Sequence, residues 1–141
     1  MIISLDVLSE DHVHRIYRHY PRAIYGLAFA YAAWDEYCSY LAQAEDLFIT
    51  ASAAGNGRLI GHPQGEPSFT PQALADWLRE SVLPFEYFGD LYIAAPGADR
   101  SYLDGLRKAM GPRYEGRIFG QFGLPSGTLQ PPVEAHWVEA A

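Results

Sequence analysis

The run AIYGLAFAYAAW, Ala23 to Trp34, carries no charge and stops at two adjacent carboxylates, Asp35 and Glu36. It sets the first constraint on the fold. A membrane-spanning helix needs about 20 apolar residues, so this run is too short to cross a bilayer and belongs to a protein core. Two periods compete within it. Leu27, Phe29 and Tyr31 alternate with Ala28, Ala30 and Ala32, which is the period of a strand. Over a longer window Ile24, Leu27, Tyr31, Trp34, Cys38 and Leu41 recur at steps of three and four, and alanines favour helix. Pro21 suits a first helical turn because its missing N–H would be unpaired there. The spacing predicts a helix over about 22–44, with a strand over 24–32 as the alternative. On that helix Cys38 lies on the buried stripe, and Asp35 and Glu36 flank it.

A chain of 141 residues fits one domain and can bury a core without staples. Its hydrophobic fraction of 49% and charged fraction of 19% are those of a globular protein. A net charge of −7 repels phosphate backbones and anionic lipid, so neither nucleic acid nor a membrane is an expected partner. It suits a basic protein partner. One cysteine cannot form an internal disulfide, which fits a reducing compartment. MIISLDVLSEDH has no basic region followed by a long apolar run, so a cytoplasmic location is the expectation.

Along the chain, residues 1–8 read as a short strand. Ser9 caps a predicted helix over 10–20, with Val13, Ile16, Tyr17 and Tyr20 on its apolar stripe. DLFITASAAGNGRLIGH reads as a hairpin, with strands over 47–52 and 58–62 around Gly55-Asn56-Gly57. Residues 62–69 read as a loop. Thr70 caps a helix that starts at Pro71, buries Leu74, Trp77, Leu78 and Val82, and stops before Pro84. A second hairpin is predicted between 85–88 and 91–94, with Gly89-Asp90 as its turn. Asp99 caps a helix that packs Tyr102, Leu103, Leu106 and Met110 and ends at Gly111-Pro112. GRIFGQFG and VEAHWVEA read as strands. Hairpin-joined strands predict an α+β fold, a mainly antiparallel sheet with about four helices packed on it in one domain. A doubly wound order is not expected, since strands and helices do not alternate regularly and no glycine fingerprint follows a strand.

Chemistry-bearing residues are scattered. His12, His14 and His19 cannot converge on one metal from a helix: His12 and His14 lie about 200° apart, and His12 and His19 about 10 Å apart. His62 and His136 stand alone. Arg15, Arg18 and Arg22 recur at steps of three and four and could hold an anion, since guanidinium forks match carboxylates and phosphates. LPSGT lacks the flanking glycines of a nucleophile elbow, and no cofactor motif is present. The distinctive signal is aromatic: ten tyrosines, seven phenylalanines and three tryptophans. FEYFGDLY is the densest stretch, and it sets rings beside Glu86 and Asp90.

Short, acidic, tyrosine-rich and without a catalytic motif, the chain resembles in composition bacterial immunity and inhibitor proteins, which neutralise a toxin by binding it. The resemblance implies a protein that occludes a protein partner. Glu86, Tyr87, Asp90, Tyr92, Asp35 and Glu36 are the residues expected at the contact. The alternative is a small enzyme or ligand-binding protein with an aromatic pocket of Tyr31, Trp34, Tyr37 and Trp77. There Asp35, Glu36 or a histidine would serve as acid or base, and Arg15, Arg18 or Arg22 would hold an anion. Unpaired edge strands would also allow a homodimer.

Overall fold

Three short runs, Ile2–Ser4 (β1), Leu47–Thr50 (β3) and Leu91–Ala94 (β6), are buried at every position. A strand covered on both faces is characteristic of parallel sheets, and these three strands lie side by side in parallel. The computed structural model describes residues 1–5, 22–31, 41–51, 60–61, 68–95, 98–121 and 137–141. Within them β1 is flanked on its other side by Ala28–Ala30 (β2), also parallel. Beyond β6 come Ile118–Gln121 (β7), parallel, and Trp137–Glu139 (β8), antiparallel. The six-stranded sheet therefore runs β2-β1-β3-β6-β7-β8. Ile60–Gly61 (β4) and Ser68–Phe69 (β5) form a separate antiparallel pair. The helices are Arg22–Tyr25 (α1), Pro71–Trp77 (α2), which continues as a π-helical turn over Leu78–Val82, and Arg100–Met110 (α3).

Alternation along the strands divides the core in two. Ile3, Leu47, Ile49, Leu91, Ile93 and Ile118 face one side and pack with Leu74 and Leu78 of the α2 segment and Leu103 and Leu106 of α3. Ile2, Phe48, Tyr92 and Phe119 face the other side with Tyr25 of α1 and Trp137 of β8. Phe48, Tyr92 and Phe119 are register partners on adjacent strands and stack as a ladder, with ring centroids 4.7 and 4.9 Å apart.

The architecture corrects the expected one: the sheet is mostly parallel rather than mainly antiparallel, with three α-helices among the described residues rather than four. The expectation failed because it joined neighbouring strands through turn residues. β3 pairs with β1 and β6, and β4 pairs with β5 from the segment read as a loop. Residues 85–88 form no strand, so Gly89-Asp90 is not a hairpin turn. With the β4–β5 pair set aside, the five parallel strands run second-first-third-fourth-fifth, an order also met in doubly wound sheets, but the sixth strand is antiparallel and the fold is α+β, as expected.

The long helix over 22–44 is corrected too. α1 ends after Tyr25 because Gly26 takes φ +79°, its N–H closing the turn on the Arg22 carbonyl at 2.8 Å. The chain then enters β2, inside the span of the alternative strand reading. The helix predicted over 10–20 and the Gly55-Asn56-Gly57 turn lie outside the described residues. Two other helix readings hold. Thr70 accepts the Ala73 N–H ahead of Pro71, and Asp99 accepts the Tyr102 N–H.

Candidate partner-binding surface

Pro84 stops the α2 segment, and Leu83, already extended, carries the chain toward β6. The connection Leu83–Asp90 runs along the amino ends of the strands, and the backbone at 43–45 holds it there. The Gln43 carbonyl accepts the N–H groups of Phe88 (2.9 Å) and Gly89 (3.1 Å). The Gln43 side chain donates its Nε2 to the Phe85 carbonyl at 2.7 Å. The Tyr87 N–H closes a tight turn on the Pro84 carbonyl at 3.2 Å, and Glu86 within that turn takes φ +56°. Tyr87 points inward: its hydroxyl donates to the Glu45 carbonyl at 2.6 Å, and its ring stacks on Tyr114 at 6.1 Å. Burial pushes the Tyr87 phenol well above its usual range, so it stays a donor. Tyr114 in turn donates to the Gly89 carbonyl.

With Tyr87 inside, its neighbours are turned out. Phe85 is 84% exposed and Phe88 52% exposed, and Glu86 between them is exposed. These are the two most exposed phenylalanines among the described residues, and both sit on a connection pinned at several points.

The charges nearby serve mainly to tie strand ends together. The Met1 ammonium pairs with Glu45 Oε2 at 2.9 Å and donates to the Asp46 carbonyl at 2.8 Å. Its burial lowers its pKa, against the opposing pull of Glu45. Asp90 accepts the Arg117 backbone N–H at 2.8 Å and the guanidinium at 2.9 Å, linking β6 to β7. Asp46 Oδ1 accepts the Asp90 N–H at 3.3 Å. Burial raises the Asp46 pKa, and the charge of Asp90 adds to the shift.

The structure sorts the expected contact residues. Glu86 is exposed and Asp90 is partly exposed at this surface, whereas Tyr87 and Tyr92 are buried, Tyr92 within the aromatic ladder. Of the expected pocket, Tyr31 and Trp77 do meet, with ring centroids 5.2 Å apart and Phe69 against both. Phe69 and Trp77 stack, while Tyr31 meets them edge-on and tilted, and the cluster packs against the core. Arg22 is exposed at the start of α1. Asp35, Glu36, Trp34, Tyr37, Cys38, Arg15, Arg18 and the five histidines lie outside the described residues. Among the described residues no group of three histidine, cysteine, aspartate or glutamate side chains could hold a metal ion, and no helix is long and apolar enough to cross a membrane. Sequence reasoning missed Phe85, Phe88 and the bracing residue Gln43. The available signal was Pro84 directly before Phe85, which argues against a regular strand there.

No protein-family model, no curated protein and no solved structure matches this chain.

Proposed function

We propose that the protein acts by protein–protein association, covering a basic partner surface with the Phe85–Phe88 connection, in the manner of an inhibitor that occludes a toxin or enzyme. The observation that carries the reading is the exposure of Phe85 and Phe88 on a braced backbone. Aromatic rings dominate the energy of interfaces, and a contact already rigid before binding loses little conformational entropy on binding. Glu86 between the rings and the net charge of −7 favour a cationic counterpart.

The test is affinity capture from source-cell lysate with tagged protein and a Phe85→Ser/Phe88→Ser variant, read by mass spectrometry. The expected result is one basic protein, retained in stoichiometric amount by the parent and lost from the variant. Retention of the same proteins by a folded variant would refute the proposal.

A further inference from the structure

A second feature lies at the opposite end of the sheet and is independent of the Phe85–Phe88 surface. β1 and β3 are adjacent and parallel, and Ser4 pairs in register with Thr50 at their carboxyl ends. From β1 the chain goes on to β2 on one side, and from β3 to β6 on the other. The connections thus diverge between these two strands. In open parallel sheets a ligand crevice forms at such a divergence, at the carboxyl ends of the strands.

The side chains change character there. Ile2 and Phe48 belong to the aromatic-ladder face, so Ser4 and Thr50, two residues on, lie on that same face. One row of the sheet reads Ile2, Phe48, Tyr92; the next reads Ser4, Thr50, Ala94. Bulky apolar groups give way to two hydroxyls and a methyl. Ser4 is 0% exposed, and among the described residues its Oγ has no hydrogen-bond partner. A buried hydroxyl left unpaired costs about 1–3 kcal/mol, and alanine would fill this position without that cost.

We propose that Ser4 and Thr50 form a binding site for a small neutral ligand carrying a carbonyl or amide oxygen. Neighbouring strands stand about 4.8 Å apart, so two hydroxyls on one face can both reach a single acceptor group between them. The ligand is neutral because Ser4, Thr50 and Ala94 bring no charge to the row, and an unpaired charge buried there would be costly. It is small because Ser4 is closed to solvent.

The test is a titration of the isotope-labelled full chain with acetamide, with acetate as the charged counterpart, followed by amide NMR shifts. Saturable shifts at Ser4, Leu5, Thr50 and Ala51 with acetamide, and none with acetate, are expected. Ser4→Ala should weaken acetamide binding at least fivefold and leave the chain folded, since it removes an unpaired group. No saturable shift at these amides would overturn the site. Equal affinity in Ser4→Ala would overturn the role of the hydroxyl. Acetate binding as well as acetamide would overturn the ligand class.

Discussion

Alanine substitution along Phe85–Phe88 tests the geometry on which the proposed interface depends. Phe85 is 84% exposed, so Phe85→Ala removes almost no buried area and should change stability by no more than about 0.5 kcal/mol. Phe88 is 52% exposed; half of a full side-chain burial gives roughly 1 kcal/mol for Phe88→Ala. Tyr87 is 7% exposed and stacked on Tyr114, and truncating such a ring costs roughly 3–5 kcal/mol. Tyr87→Phe isolates the hydroxyl bond to the Glu45 carbonyl and should cost about 0.5–1.5 kcal/mol. At Glu86 the sign reverses. A side chain at φ +56° costs about 1–2 kcal/mol, and glycine gives back about 0.5–1 kcal/mol in chain entropy, so Glu86→Gly should stabilise by up to about 1.5 kcal/mol. Urea denaturation with matched slopes reads all five variants. On a regular strand Phe85 and Tyr87 would share a face and cost alike. A Phe85→Ala loss comparable with that of Tyr87→Ala would refute the braced turn, and with it the presentation of the rings.

Two further predictions concern the frame. Burial raises the folded-state pKa of Asp46 above its ordinary 3.8, so the native chain binds more protons than the unfolded one just above that value. Stability attributable to Asp46 is therefore lost as pH rises through that window. Asp46→Asn, which keeps the oxygen facing the Asp90 N–H, should be more stable than the parent at about pH 7 and lose that advantage at about pH 3. Urea midpoints at both pH values check it, and an advantage that persists in acid would refute the cause. A Cβ at Gly120 of β7 would collide with Leu103 Cδ1 of α3, so Gly120→Ala should cost about 1–3 kcal/mol. In a double-mutant cycle Leu103→Ala should relieve part of that loss, whereas simple additivity would mean the two positions do not touch.

What could be read from the sequence was local. The α2 and α3 starts carry their own chemistry, Thr70 before Pro71 and Asp99 before Arg100, and no tertiary contact is needed to recognise them. The presence of strands near 47–50, 91–94 and 118–121 was legible for the same reason. Their partners were not. Pairing in a parallel sheet joins segments far apart in the chain, such as Ile2 with Phe48 and Phe48 with Tyr92, and no turn residue records it. The run 23–34 misled because its helical stripe is genuine, while Gly26, one residue at positive φ, overrides it. Charge and ring density pointed to Glu86 and Asp90, which the structure leaves exposed and partly exposed. Phe85 and Phe88 were missed because alternation was applied to a stretch that Pro84 and the bond from Gln43 hold out of any sheet.

Energy sets the size of the proposed interface. Burying the two phenylalanines fully is worth about 1.5–3 kcal/mol each. A micromolar complex needs about 8 kcal/mol net, after an association cost of about 4–15 kcal/mol. The rings alone fall well short, so they act as anchors within a footprint of ordinary size, about 800 Å² on this side. Ala42, Gln43 and Ala44 lie exposed beside the connection and would extend that footprint. The two kinds of group then have separable roles. Removing the rings should speed dissociation, because their burial holds the complex together. Reversing one exposed charge with Glu86→Lys should mainly slow association and flatten its salt dependence, because long-range attraction acts before contact. Surface plasmon resonance with the captured partner separates the two rates. A Glu86→Lys effect confined to dissociation would mean that this carboxylate makes a desolvated contact rather than steering the encounter.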